Sequence, residues 1–158
     1  MAGKTAAEVY GKPWSKSQNA FLDNTLVQGD SVVMNHRHRV TTSEINAGHT
    51  VLPAVPGQKY RLIDFTMIAY GGSAATATAV TILATQTSSV ALATVAVGGL
   101  TQSTIAKPNT ATHSAVLADG ASFVANDENT AITVGKTGGT LATCTGVDFI
   151  LTYVLETA

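Results

Sequence analysis

Two histidines at alternate positions, His36 and His38, have the spacing in this chain that most readily suggests chemistry. They lie in residues 31–42, SVVMNHRHRVTT, a segment whose residue types predict a β-strand. Alternate side chains of a strand point to the same face, so the two imidazoles would lie together, as pairs of metal ligands do. The other histidines, His49 and His113, are remote in sequence. The pattern therefore favours a packed or intersubunit histidine face, with a metal pair as the minor alternative.

Arg37 and Arg39 alternate with these histidines and should point together to the opposite face of the strand. Two guanidinium groups could bind a phosphate or a carboxylate, and an ion-paired or solvated strand face fits the pattern at least as well. Residues 1–40 hold five basic and three acidic residues, a formal charge of +2, whereas the remainder holds four and seven, a charge of −3. This asymmetry would suit docking of the N-terminal part on an acidic protein surface.

Three further segments contain residue types that are common in functional sites. Residues 135–137, Gly-Lys-Thr, resemble the end of a phosphate-binding loop, but Thr130 stands where that loop needs glycine, so a strand-end turn is favoured. Residues 127–128, Asp-Glu, lack the alternating oxygen ligands of a calcium loop and predict a solvated turn. Cys144, the single cysteine, has no histidine or arginine neighbour and predicts an inert core residue. With no Ser/His/Asp or Cys/His set in view, we expect no enzyme activity, no cofactor and no metal centre.

The first 30 residues contain only scattered large apolar side chains and show no sustained helical or strand period. This pattern predicts an extended N-terminal arm, which could dock on a partner or fold back on its own domain. Docking on a partner is favoured because bulky aromatic side chains are natural anchors. The predicted contact residues of the arm are Lys12, Trp14, Lys16, Phe21 and Leu22.

Composition narrows the classes of protein that remain. Charged residues make up only 12% of the chain and the net charge is −1, so no basic field suggests nucleic-acid binding. The longest weakly polar run, residues 90–100, is too short for a membrane helix, and the start of the chain has no apolar signal-peptide core. So few charges predict that part of the surface is covered in an assembly.

Short apolar runs separated by Gly, Pro, Asn and Asp clusters fill the chain after residue 30, and no segment shows a 3.6-residue period. This rhythm predicts an all-β sandwich. The last strand alternates most cleanly and is expected to lie in the middle of a sheet. The predicted strands are residues 31–42, 49–52, 59–70, 79–85, 90–97, 114–117, 131–135 and 147–155.

The segment 48–72 has the highest density of large apolar side chains, but its second strand does not alternate regularly. Apolar residues change parity near Leu62 and Ile63, so the strand either contains a bulge there or is covered on both faces. We favour the second alternative, with Ile68 and Tyr70 facing a neighbouring subunit. Asp64, among apolar neighbours, is expected to accept hydrogen bonds from a loop or from Arg61, because an unpaired buried carboxylate is costly.

Residues 46–65, NAGHTVLPAVPGQKYRLIDF, resemble a module of tailed-phage structural proteins in which G-x-T-x-L-P-A-V-x-G-x-K-x-R-V-x-D opens a jelly-roll sandwich. The resemblance extends over residues 45–155. It implies a jelly-roll-like β-sandwich domain, residues 46–158, preceded by an N-terminal arm and first strand, residues 1–45. Similar modules occur in capsid cement (decoration) proteins, head fibres and tail-fibre pieces.

The resemblance implies a virion structural protein that binds the outer surface of a phage capsid and stabilises it. The implied partners are the major capsid protein and further copies of the chain, with a homotrimer favoured over a dimer and with neither nucleic acid nor membrane. The chain would be made in the host bacterial cytoplasm and end on the capsid exterior. The alternative is a head-fibre or tail-fibre module involved in host attachment. The expected intersubunit or capsid face comprises His36, Arg37, His38, Arg39, Ile68 and Tyr70.

Overall fold

A computed structural model of the chain describes residues 14–15, 20–21, 32–84, 90–108 and 125–157. Within these ranges the regular elements are nine strands and one α-helix, with a single turn of 3₁₀ helix at Val97–Gly99. The strands are β1 (Trp14–Ser15), β2 (Ala20–Phe21), β3 (Val33–Thr41), β4 (His49–Leu52), β5 (Gln58–Tyr70), β6 (Ala75–Ala84), β7 (Val90–Ala96), β8 (Ile132–Ala142) and β9 (Gly146–Thr157); the helix is α1 (Thr42–Ala47).

Two antiparallel sheets pack face to face and confirm the predicted all-β sandwich. One sheet has the order β3-β9-β5 and the other has the order β4-β8-β6-β7. In both sheets a strand from the end of the chain lies between strands from its first half, which is the interleaving of a jelly roll. The sandwich is filled by side chains from both sheets, among them Phe65, Phe149, Ile82 and Ile132, each fully buried.

Strand β9 lies between β3 and β5, as predicted from its regular alternation. It pairs with β3 from Val33↔Val154 to Thr41↔Gly146 and with β5 over nearly the whole of that strand. The inward residues of β9 are large and apolar, so the strand contributes to the core along most of its length.

The change of parity in β5 is caused by a bulge, which was the alternative that we did not favour. The register against β9 shifts between Leu62 and Asp64, so Ile63 is the extra residue. Tyr60 and Leu62 are buried before the bulge, and Phe65 and the alternate residues after it are buried as well. The bulge thus turns both halves of the strand toward the same core. The free edge of β5 continues through isolated bridges to Ala106 and Ala125.

Two predictions about local structure are wrong. Residues 43–48 lie between two predicted strands, where the absence of a 3.6-residue period predicted no helix, but they belong mostly to α1. This helix begins after a capping box: Thr41 accepts from the Glu44 amide while the Glu44 carboxylate accepts from the Thr41 amide. Residues 135–137, expected at a strand-end turn, lie inside β8, which continues through two glycines to Ala142. The side chain of Asn46 holds this far end of β8, since it donates to the carbonyl and accepts from the amide of Leu141.

The predicted N-terminal arm lies almost entirely outside the described residues. Its described part is the pair of two-residue strands β1 and β2, in which Trp14 lies opposite Phe21. The other predicted anchors, Lys12, Lys16 and Leu22, fall outside the described residues. Within the described part of the chain, no helix has the length and apolar character needed to cross a bilayer.

Candidate functional site

The solvent side of the three-stranded sheet, which we call the outer face, brings together most of the residues predicted for an interface. Cross-strand pairing places the outward side chains in rows that run across β3, β9 and β5. The rows that define the outer face are Arg37–Ile150–Thr66, Arg39–Asp148–Ile68 and Thr41–Gly146–Tyr70.

Asp148 is the centre of the polar part of the outer face. Arg37 donates from Nε and Nη2 to the two carboxylate oxygens, and Arg39 Nη2 donates to Asp148 Oδ2 at 3.2 Å. The carboxylate is nearly buried, whereas the guanidinium groups remain exposed. Hydrogen bonds from Arg37 and then from Arg39 lower the pKa of Asp148 against the opposing effect of its burial. The ion-paired alternative for the arginines is therefore the observed one.

Tyr70 reaches across the middle strand to Arg39. The guanidinium carbon of Arg39 lies 4.5 Å from the centroid of the Tyr70 ring, a cation–π distance. The strand between them contributes Gly146, and a Cβ at that position would lie 2.6 Å from Tyr70 Oη and would overlap the carbonyl oxygen of Val40. The absence of a side chain at Gly146 is therefore what allows the aromatic ring to lie over β9.

An apolar groove adjoins the ion-paired cluster. Ile68, Ile150 and Ile105 line a groove of about 280 Å³ together with Thr66, Arg37 and Asp148. Ile105 and Ile150 are 53% and 41% exposed, which is high for isoleucine. A groove that combines exposed isoleucines with a fixed charge pair can bind a partner that supplies apolar side chains and a few polar groups.

The histidines of β3 lie on the other side of that strand, which is an edge strand of its sheet. His38 Nε2 lies 3.0 Å from Nε2 of His49, which belongs to β4 in the opposite sheet. The His36 and His38 rings stack with centroids 5.6 Å apart, and the buried Nε2 of His36 has no hydrogen-bond partner among the described residues. His36 and His38 thus share a face, as predicted, but they do not lie on the outer face with the arginines.

Helix α1 positions a carboxylate beside this histidine cluster. The Glu44 Oε2 atom accepts from the amide and the hydroxyl of Thr41, at 2.8 and 2.7 Å, and Oε1 lies 3.9 Å from His49 Nδ1. The same bonds to Thr41 lower the pKa of Glu44. Burial, and then repulsion from the charged forms of His49 and His36, lowers the pKa of His38 and favours its neutral form.

A second ion pair on β5 and β9 corrects the prediction for Asp64. Arg61 pairs through Nε and Nη2 with the two carboxylate oxygens of Glu156. Asp64 is exposed and accepts from the amide of the next residue, Phe65, at 2.8 Å. Since the bulge turns Asp64 toward solvent, its carboxylate needs no buried partner.

The acidic turn and the cysteine that the sequence singled out are a solvent-exposed turn and a buried core residue, as their residue types favoured. Asp127 and Glu128 are exposed at a turn, and Cys144 is a free, buried thiol that lies 3.5 Å from Thr42 Oγ1. Among the described residues, no group of three or more His, Cys, Asp or Glu side chains is arranged to hold a metal ion. Neither His49 nor Asp148 was singled out by the sequence, because their partners lie 11 and about 110 residues away along the chain.

Comparison of the chain with protein-family models, with curated proteins and with solved structures finds no match. Its function must therefore be inferred from the geometry of the outer face and of the histidine cluster, together with the motif in residues 46–65.

Proposed function

We propose that this chain is a virion structural protein that binds the outside of a phage capsid through the outer face and stabilises the shell. The observation that carries the proposal is the groove lined by Ile68, Ile105 and Ile150 beside the Arg37–Asp148–Arg39 cluster. The jelly-roll order of the sheets and the phage-like motif in residues 46–65 support the same class of protein.

The outer face has the composition of a protein-binding surface. Interface centres are enriched in apolar, aromatic and arginine side chains. Here both arginines share the single carboxylate of Asp148, so the cluster keeps a net positive charge, which an acidic group of the partner would pair when it covers the groove. Tyr70, fixed over Gly146, adds an aromatic side chain with little freedom to lose on binding.

Stabilisation of a capsid requires binding free energy and no chemical step. Each copy that spans neighbouring capsid subunits adds interface area that must be lost before those subunits separate. A homotrimer would bind through three equivalent faces, so its second and third contacts would form at high effective concentration. The N-terminal residues, with Trp14 and Phe21 as anchors, would extend this contact to the capsid protein.

The outer face can be tested with Ile105→Gln/Ile150→Gln, a double variant that replaces two exposed apolar side chains with polar ones of similar length. Co-sedimentation with shells of the major capsid protein that lack this chain should show weakening of about a hundredfold or more, because removing two apolar anchors costs about 3 kcal/mol. The matched control is Ala91→Gln on β7, an exposed site of the opposite sheet, which should bind as the wild type does. Equal binding by all three proteins would exclude the outer face as the capsid contact.

Deletion of residues 1–30 tests the arm separately. The truncated chain should retain the sandwich and lose capsid affinity, whereas undiminished binding would remove the arm from the proposal.

Copy number in a purified virion distinguishes the proposed cement role from the alternative role in host attachment. Hundreds of copies over the shell support the cement protein, while a few copies at one vertex, with selective binding on a glycan array, would indicate a fibre module.

A further inference from the structure

The contact between His38 and His49 joins titratable side chains of the two sheets. His38 lies on β3, an edge strand of the three-stranded sheet, and His49 lies on β4, an edge strand of the four-stranded sheet. Their Nε2 atoms are 3.0 Å apart and their ring planes are tilted by 34°. Two nitrogens that can both carry lone pairs thus lie within hydrogen-bond distance of each other.

We propose that His38 and His49 bind a divalent transition-metal ion, Cu²⁺ or Ni²⁺, between their Nε2 atoms. This site is independent of the proposed binding of a capsid. It lies on the core side of β3, whereas the outer face lies on the opposite side of that strand.

The separation of the two nitrogens indicates which ions fit. With metal–nitrogen bonds of about 2.0–2.1 Å, a separation of 3.0 Å corresponds to a nitrogen–metal–nitrogen angle of about 94°. That angle is close to the 90° between adjacent ligands in square-planar or octahedral geometry, which Cu²⁺ and Ni²⁺ adopt, and is smaller than the tetrahedral angle of zinc. Imidazole is a preferred ligand of both ions, and Cu²⁺ binds more tightly than Ni²⁺ in the same site.

Glu44 lies near the second ring nitrogen of His49, on the side where a metal-binding histidine usually donates a hydrogen bond. Its Oε1 lies 3.9 Å from His49 Nδ1, and its Oε2 is held by the Thr41 amide and hydroxyl. A carboxylate beside Nδ1 favours the tautomer that carries its proton on Nδ1, which leaves the Nε2 lone pair of His49 free for a metal. Glu44 is therefore a positioning residue, since it acts on the ion through His49.

Metal binding replaces the hydrogen bond that joins the two imidazoles in the free chain. With the His49 proton on Nδ1, His38 Nε2–H donates to His49 Nε2. When the ion enters, the His38 proton moves to Nδ1 and both Nε2 lone pairs bind the metal, with no net change in protonation of the neutral pair. The His49 side chain is 28% exposed, so water can reach the ion and fill its remaining positions.

Calorimetric titration of the full chain with Ni²⁺ and Cu²⁺ tests this site. The wild type should bind one equivalent of each, and His38→Gln and His49→Gln should each weaken binding by about tenfold or more through loss of one of two ligands. Glu44→Gln should weaken it by about tenfold, the usual effect of an outer-shell partner. Thr50→Gln, at an exposed site of the same strand as His49, is the matched control and should bind like the wild type.

Electron paramagnetic resonance of the Cu²⁺ complex supplies a readout that altered folding would not mimic. Its superhyperfine structure should show two imidazole nitrogens in the wild type and one in either histidine variant. Melting temperatures in EDTA establish that each variant is folded, and His49→Gln, at the partly exposed position, keeps the test decisive if His38→Gln does not fold. Unchanged binding in a folded histidine variant would overturn the proposal. So would a wild-type chain that binds neither ion at a concentration on the order of 100 micromolar, where even weak sites bind.

Discussion

The two sheets of the sandwich share one core but carry very different side chains on their solvent faces. The strands of the three-stranded sheet hold seven charged residues, namely Arg37, Arg39, Lys59, Arg61, Asp64, Asp148 and Glu156. The described strands of the four-stranded sheet hold one, Lys136, and no carboxylate. The outward row across β7, β6 and β8 is Thr94–Thr81–Gly135, in which Thr81 is buried.

This difference indicates that the two sheets are held together by different interactions. Small outward residues let the four-stranded sheet rely on backbone pairing and on the shared core, because they offer few side-chain contacts of their own. In the three-stranded sheet, ion pairs and the Arg39–Tyr70 contact join the strands across the outer face. Substitutions at matched positions of the two sheets can therefore test whether the sheets differ in this way.

The largest expected effect comes from adding one methyl group to the middle strand of the three-stranded sheet. Gly146→Ala should lower the free energy of unfolding by about 3 kcal/mol, because the new Cβ overlaps Val40 and displaces the Tyr70 ring. Gly135→Ala in β8 is the matched change, and there the Cβ meets Leu83 and Thr81 at ordinary distances of 3.5 and 3.7 Å. Urea denaturation should show Gly135→Ala within about 0.5 kcal/mol of the wild type. Similar losses in both variants would remove this contrast between the sheets.

Neutralising the shared carboxylate should have the next largest effect. Asp148→Asn keeps the shape of the side chain but leaves two guanidinium groups without their anion, and we expect a loss of about 1 kcal/mol, limited by the exposure of the arginines. Added salt should reduce the difference between variant and wild type, since it screens the charges. Thr81→Val, at a buried outward site of β6, is the uncharged control and should show no such dependence on salt. A loss that is insensitive to salt would assign the role of Asp148 to packing.

Acid should destabilise the chain in part through the ion-paired carboxylates of the three-stranded sheet. Arginine partners lower the pKa values of Asp148 and Glu156, so their contribution to stability is complete above the unfolded pKa values of about 4 and is lost as the pH falls through the lower folded values. Denaturation midpoints measured at pH 7, 5 and 3 should fall mainly between pH 5 and 3. The double variant Asp148→Asn/Glu156→Gln should lose less over that interval, and an equal loss would place the acid sensitivity elsewhere in the chain.

The smallest expected effect concerns the aromatic contact. Tyr70→Leu keeps an apolar side chain over Gly146 but removes the ring beneath Arg39, which should cost about 0.5 kcal/mol. Thr94→Val, in the outward row of the four-stranded sheet, should change stability by less than this. Melting temperatures of the two variants measured side by side decide the point, and a larger drop for Thr94→Val would reverse the ranking of the two faces.

The sequence predicted the elements of the fold better than their contacts. Alternation identified β9 and its central place, because five apolar residues on one face of a strand need cover along its whole length. The change of parity among the apolar residues predicted the position of the irregularity, near Ile63. It could not distinguish a bulge from a strand covered on both faces, since both give the same pattern. A signal for α1 was present in Thr41-x-x-Glu44, the spacing of a capping box, and was overlooked because the helix is shorter than two turns.

Partners across the sheets could not be predicted. Arg37 and Asp148 are 111 residues apart, and their pairing depends on the exact register of β3 against β9. The approach of His38 to His49 depends in addition on how the two sheets are stacked, a distance that no local pattern encodes. The sequence therefore indicated which residue types could form sites, while only the structure could show which of them meet.

The bulge in β5 also has a consequence for changes in chain length. Ile63 is, in effect, a single-residue insertion, and a chain lacking it would alternate without interruption from Tyr60 to Tyr70. Insertion or deletion of one residue usually reverses the facing of every side chain beyond it in a strand. At the bulge the sheet can absorb the loss of Ile63, because the buried residues on both sides of it would still face the core.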